Sequence, residues 1–398
     1  MTADVDVQKF HGGKAWLVRA ASTGAVGLLI TLAWMFEDPK TALYSYLVAF
    51  VYWAGIALAS LVLLMIFHAF HAKWMVVLRR PIEVMAVTFG VFIVLFIPLA
   101  LGLEHLYMWV TPPAGLTVEQ AHLLHHKAPY LNAPFFLVRT GIYFVVVMFI
   151  AQRLFGLSTQ QDSSGDVQLT VSQRRLSAGG LPFVAVVFAF AGFDWLMTLN
   201  PFWFSTIFGV YYFAGSFLST LSLLVLITNA ARGNKDLFGT YVSLEHRHNL
   251  GKLMLAFTAF WAYIGFSQFM LIWIAALPEE IPFFTVRMTK EWAPVGIALM
   301  VGHFGLPFLA LLSRPLKRNP KLLGAVAVWL LLMNFVDLYW LVIPTLSEKA
   351  PAFHFTLVTA FLGVGGVAVS AAIWRARGHF TVPVKDPFLS VSLRYRQP

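Results

Sequence analysis

The sequence predicts an all-α integral membrane protein of ten transmembrane helices, arranged as two repeated four-helix bundles flanked by the first and last helices. Three observations predict it. Of the 398 residues, 59% are hydrophobic and only 12% are charged, against about 25% charged in a soluble domain; mean hydropathy is +0.75. Ten apolar segments are each long enough to cross a bilayer core of about 30 Å as a helix. The basic residues fall on alternate loops, as membrane topology demands.

In chain order, residues 1–14 are polar, and the first apolar segment, 15–36, has no small-residue cleavage site. It reads as an uncleaved span whose Arg19 can snorkel to the surface. Segments 41–69 and 80–103 follow. The connection 104–130 opens amphipathically with Glu104, His105, Leu106, Tyr107 and Trp109, then breaks at Thr111-Pro112-Pro113. Segments 131–155 and 178–199 are joined by a Ser-, Gln- and Asp-rich stretch, 157–177, that reads as a mobile loop. The Asn200-Pro201 break is followed at once by segment 202–229, so the fifth and sixth helices must be antiparallel neighbours. Segments 249–277, 291–313, 321–343 and 351–376 complete one polytopic domain, 1–376. The basic, Pro-interrupted tail 377–398 is expected on a partner or on the membrane surface.

Charge sets the orientation. The termini and the even-numbered connections carry 22 of the 28 Lys and Arg residues, Lys235 among them. Only Lys40, Lys127, Arg139, Arg287, Lys290 and Lys349 fall on the other side. Both termini are therefore expected in the cytoplasm of a bacterial inner membrane. The net charge of +10 is scattered over helix ends, which reads as orienting charge and not as a nucleic-acid surface. The chain has no cysteine, which excludes disulfides, a thiolate-bound iron–sulfur cluster and Cys-attached haem within it.

Two alignments point to a repeat. Tyr52-Trp53-Ala54-Gly55 matches Tyr212-Phe213-Ala214-Gly215, and Asp194 and Asp337 each lie seven residues before a proline, Pro201 and Pro344. Helices two to five (about 41–199) would then recur as helices six to nine (about 202–343) in the same orientation, as in parallel-repeat membrane folds.

Ionisable groups inside membrane spans are costly and mark function by default. The candidates are Asp194, about one and a half turns before its break, then Asp337, Arg139, His303 and Gln268, with Glu104 and His105 at the outer edge. Together with His68, Glu83, Lys252 and other polar residues they form a sparse ladder across both bundles. Such a ladder can relay protons, or its outer members can bind a quinone head, which needs hydrogen-bond donors and a base. The plainer readings stay open: paired structural acids, Arg139 as a counter-ion, His303 as a packing residue, Gln268 as polar glue, and Glu83 as an interfacial group. His303 has no partner at its depth for a bis-His haem. His122, His125 and His126 have helical metal-ligand spacing but sit in a wet loop, so no metal site is assigned. Gly363, Gly365 and Gly366 let a neighbouring helix approach closely. The aromatic residues, 16% of the chain, read mainly as lipid-facing and interfacial.

The runs FDWLMTLNPFWFSTIFGVYYFAGSF at 193–217 and GKLMLAFTAFWAYIGFSQFMLIWIAALPEE at 251–280 resemble the smaller polysulfide-reductase-like (NrfD-like) membrane subunit of alternative complex III, the ActF-type subunit of a bacterial quinol:electron-acceptor oxidoreductase. The resemblance is carried by helices five to seven, and chain length and helix count suit it; the N-terminus, residues 157–177 and the tail carry little. It implies two four-helix bundles with flanking helices. It also implies a complex with a larger NrfD-like paralogous membrane subunit, an iron–sulfur subunit, c-type cytochrome subunits and small membrane subunits. Electrons would pass from menaquinol or ubiquinol to a cytochrome or a terminal oxidase. The haem and iron–sulfur clusters belong to partners in that picture. The resemblance implies quinone binding by this subunit, with the better-supported quinol site in the larger paralogue. The expectation is therefore a subunit that contributes to quinone binding or a proton path and to assembly, without catalysing alone. The alternatives are a secondary transporter, since internal repeats and buried ions occur there too, and a purely structural anchor surrounded by lipids.

Overall fold

In a computed structural model, which describes residues 7–232, 241–278 and 280–396, ten helices among the described residues are long and apolar enough to span a membrane. They are α1 (Lys14–Trp34), α2 (Pro39–Ala69), α3 (Lys73–Leu101), α4 (Ala133–Ser164), α5 (Val167–Leu199), α6 (Phe208–Ala230), α7 (Leu244–Ala275), α8 (Ala293–Leu312), α9 (Pro320–Leu346) and α10 (Phe355–Ala376). No β-strand forms among the described residues; a single antiparallel bridge joins Lys9 to Phe380 and holds the two ends of the chain on one face. We call this the terminal face.

Local chemistry explains the helix starts. Asp38 accepts the Thr41 amide at 3.1 Å ahead of Pro39. Asn132 accepts the Phe135 amide at 2.9 Å, with Pro134 in the first turn. Asn319 accepts two amides, and Ser243 and His246 form a reciprocal capping box. Each cap satisfies N–H groups that a helix start leaves orphaned.

Burial sets the layering. α2 is apolar all round, and 94% of its most apolar window is buried, as expected of a helix enclosed on every side. It adjoins α3, α5, α6, α9 and α10, whereas α6 adjoins α7, α9, α5 and α2. α1 lies at the edge against α10. There the expected glycine contact is observed. A Cβ on Gly363 would sit 2.8 Å from the Leu28 backbone nitrogen, and one on Gly366 2.5 Å from that of Gly24. Outward faces carry large apolar side chains, among them Leu29, Val145, Phe183, Trp273 and Leu309. Only a bilayer solvates such a belt, so this is a multi-pass membrane protein.

Four expectations about connections are corrected. Residues 157–177 are not an irregular loop. α4 runs to Ser164 and α5 starts at Val167, with only Gly165 (φ 70°) and the capping Asp166 between them. Gln161 donates to Thr170 at 2.6 Å and Gln173 to Gln161 at 3.3 Å, so the polar residues tie two helical extensions together. Residues 202–207 are not helical, because α6 begins at Phe208; buried Trp203 instead stacks on Phe283 at 3.9 Å. The connection 104–130 contains a short turn, Leu103–Leu106, and a capped helix, Val118–Lys127. The tail folds back on its own chain: Ser392 donates to the Trp74 carbonyl at 2.7 Å and Asn249 donates to the Tyr395 hydroxyl at 3.0 Å. Lys235, counted among the orienting charges, lies outside the described residues.

Candidate functional site

The two acids occupy different environments. Asp194 sits in the last α-helical turn of α5, because that α-helix ends at Trp195 and not at the Asn200-Pro201 break. Arg139, in the second turn of α4, grips it with both arms: Nε lies 2.9 Å from Oδ2 and Nη2 3.0 Å from Oδ1. Tyr143, one turn further along α4, donates to Oδ2 at 2.6 Å, and Tyr130 donates to Oδ1 at 3.0 Å. The guanidinium also donates to the Tyr130 carbonyl at 2.9 Å and lies 3.8 Å from the Tyr130 ring centroid. Burial, then the Asp194 charge, pushes the Tyr130 hydroxyl pKa up. Both oxygens of this fully buried carboxylate are satisfied by a bidentate pair and two hydroxyls. Such an acid holds α4 to α5 and has no vacant acceptor for a travelling proton.

Asp337, on α9, is held by neutral donors. Tyr211 of α6 donates to Oδ1 at 2.5 Å, and Trp261 of α7 donates to Oδ2 at 3.0 Å. Among the described residues no cation forms an ion pair with it. Gly215 lets the three helices meet, since a Cβ there would fall 2.6 Å from Asn334 Oδ1 and 3.7 Å from Asp337 Oδ2.

On the helices that meet here, several polar atoms are buried and have no hydrogen-bond partner: both ring nitrogens of His303, Asn334 Nδ2 one turn before Asp337, Thr258 Oγ1 one turn before Trp261 and Ser219 Oγ two turns after Tyr211. His303 lies in a π-helical turn of α8, Met300–Gly305, with its ring centroid 4.1 Å from that of Trp261. π-Bulges are frequent at functional sites. Buried polar atoms are normally satisfied by protein or ordered water. Unpartnered polar atoms such as those of Asn334 and His303, close to a carboxylate, are places where water can sit.

The two acid-bearing helix ends share one further feature. Pro344 has no N–H to donate to the Trp340 carbonyl; Arg287 donates to that carbonyl at 3.1 Å and to the Leu341 carbonyl at 2.8 Å. Burial pushes the Arg287 guanidinium pKa down. In the first half, Lys127 donates to the Pro201 carbonyl at 2.6 Å, and burial lowers its pKa too.

The structure therefore brings Arg139 to Asp194, and His303 to Asp337 through Trp261. It leaves the other candidates apart. Gln268 is buried two turns beyond Trp261 and bonds to neither acid. Glu104 and His105 are exposed and face each other at 3.5 Å. His122, His125 and His126 lie on the exposed surface of their helix. The functional groups that the sequence reading missed are Tyr130, Tyr143, Tyr211 and Trp261, which it counted among belt aromatics. Tyr143 at Arg139 plus four was the available signal.

A third polar cluster lies at the terminal face. Arg79 contacts Asp386 at 2.6 Å and Glu83 at 3.1 Å. Arg80 contacts Glu83 at 3.0 Å and Asp162 at 2.5 Å. Asp162 also accepts the Val384 amide at 3.1 Å, and Lys385 donates to the Ser163 carbonyl. Glu83 is thus a buried, paired acid and not an interfacial one, and two of the orienting arginines are internal. The network fastens the tail to α3 and α4.

No protein-family model matches the chain, and no curated protein sequence matches it.

Proposed function

We propose that this chain is the smaller polysulfide-reductase-like membrane subunit of a respiratory quinol:electron-acceptor oxidoreductase of the alternative complex III type, and that its second helical half provides part of a transmembrane proton path. One observation carries the proton-path reading: Asp337, with no cationic partner among the described residues, is linked through Trp261 to His303 and lies one turn from Asn334, and both of these carry buried polar atoms without a partner, as do Thr258 and Ser219 on the adjoining helices. Water among them would join the outer third of the membrane to its middle, and Asp337 would load and release the proton. Asp194, already neutralised by Arg139, serves assembly. Orientation follows the charge bias, with the terminal face and its excess of Lys and Arg in the bacterial cytoplasm. The lysine and arginine that hold the Pro201 and Trp340 carbonyls in corresponding halves favour the internal repeat.

In this reading quinol oxidation, with its menaquinone or ubiquinone, belongs mainly to the larger paralogous subunit. Haem and iron–sulfur clusters belong to the cytochrome and iron–sulfur partners. Gentle purification of the tagged chain should recover these together with small membrane subunits, and a lone colourless chain would overturn the assignment. In the recovered complex, reconstituted into vesicles, Asp337→Asn should lower proton translocation per electron while quinol oxidation persists. Wild-type translocation would overturn the path. The π-helical turn before Pro307 is the one observation that favours a secondary transporter, whose sites use interrupted helices. Solute uptake by vesicles holding the chain alone would establish that reading instead.

A further inference from the structure

A cavity of about 380 Å³ opens at the terminal face between the α2–α3 corner, the start of α5 and the folded-back tail. Its rim carries Lys73 and Arg174, both exposed, and its floor carries Arg79 and His68, with Asp386 from the tail. Arg79 is only 7% exposed. Two of its nitrogens are engaged by Asp386 and Glu83, but Nη2 is buried with no hydrogen-bond partner, as is His68 Nε2. Unsatisfied buried donors are costly, and a guanidinium with a free arm matches an oxyanion that can take it. Three cations against one carboxylate line this space. The remaining wall is apolar, with Phe67, Val76, Val167 and Val171. Beside it Phe70 and Val167 are exposed by 77% and 55% at the membrane boundary. The corner is also strained: His71 has φ 52°, a left-handed backbone rare outside glycine, and non-glycine backbone of this kind clusters at ligand-binding sites.

We infer that this cavity binds the phosphate of an anionic phospholipid, with the head between Lys73, Arg174 and the free arm of Arg79 and the acyl chains leaving along Val167 and Phe67. Basic pockets between transmembrane helices at a cytoplasmic face bind anionic lipid heads by this chemistry, and the mixture of cationic rim and apolar wall suits an amphiphile better than a free anion. The occupied site would clamp the tail, because Asp386 and Phe388 form one wall and Lys73 lies over the Phe388 ring at 5.1 Å. The inference depends on the membrane fold and is independent of the respiratory assignment.

The test uses the full chain with its accompanying subunits, stripped of lipid by detergent washing. The thermal unfolding midpoint is followed while phosphatidylglycerol, phosphatidylcholine or inorganic phosphate is added. Phosphatidylglycerol should raise the midpoint at concentrations where phosphatidylcholine does not. Lys73→Gln with Arg174→Gln should move half-saturation about 30-fold higher, the loss expected for two cations at an anionic head. Both positions are exposed, so folding is spared. Val171→Trp, which fills the cavity, should abolish the effect. Equal stabilisation by phosphatidylcholine, full stabilisation by inorganic phosphate alone, or unchanged half-saturation in the double variant would each overturn the lipid site.

Discussion

The same substitution at the two acids should have opposite consequences. In Asp194→Asn, the Arg139 guanidinium keeps its buried position, with 6% exposure, but loses its counter-charge. Four hydrogen bonds converge on the carboxylate, two of them from that guanidinium. An asparagine offers one oxygen and turns its NH2 toward one arm of the guanidinium, which cannot accept from it. Breaking one partner of a buried ion pair costs about 3–5 kcal/mol, a large share of a total of about 5–15 kcal/mol. In Asp337→Asn only two neutral donors are involved. The new oxygen can keep the Trp261 N–H while the Tyr211 hydroxyl rotates to accept, so the cost is about 1 kcal/mol. The assay is denaturant unfolding in detergent micelles, with proton translocation measured on whatever folds. Asp194→Asn should fold poorly. Asp337→Asn should fold and move fewer protons per electron. The paired variant Arg139→Leu/Asp194→Leu should recover most of the loss, since replacing a whole buried pair by apolar groups is often near neutral. The reasoning is refuted if Asp194→Asn costs no more than Asp337→Asn, or if the paired variant is as unstable as Arg139→Leu alone.

Other outcomes follow from single contacts. Gly215→Val should cost about 1–3 kcal/mol through overpacking, because its Cβ would lie 2.6 Å from Asn334 Oδ1; unfolding and proton movement should both respond. Asp386→Asn removes the charge held 2.6 Å from Arg79 and should weaken the tail's attachment by about 2 kcal/mol, read as faster tryptic cleavage after Lys385 and Arg394. His379 lies against the Phe155 ring at 4.9 Å, and burial, then Arg80, Arg375 and Lys9, holds its pKa below the ordinary range. The unfolded chain therefore takes up this proton first as pH falls below about 6.5. Stability is full above that pH and declines below it, and the decline between pH 7 and pH 5 should be shallower in His379→Gln.

What the sequence determined by itself is the number and the approximate position of the membrane spans. Both depend on composition summed along the chain: a hydrocarbon core about 30 Å thick demands about 20 apolar residues per helix, and ten such runs can be counted without any contact being known. That a helix would pack closely on α10 was legible for a similar reason, because Gly363, Gly365 and Gly366 carry no side chain to keep a neighbour away; that Gly363 and Gly366 meet α1 while Gly365 meets Trp53 of α2 was not. The Arg139–Asp194 pairing was within reach, since a buried charge in a membrane needs a partner and few are available. Tertiary structure alone decided the rest. Residues 157–177 are polar enough to read as a loop, yet they become helix once Gln161, Gln173 and the returning tail satisfy them. Glu83, Arg79 and Arg80 look like interfacial charge until Asp162 and Asp386 arrive from positions 82 and 307 residues away. The difference between Asp194 and Asp337, alike in their spacing to a proline, lies in who stands opposite: an arginine in one case, a tyrosine and a tryptophan in the other. A carboxylate's chemistry is set by the donors that reach it through space, and linear spacing does not encode which helix will supply them.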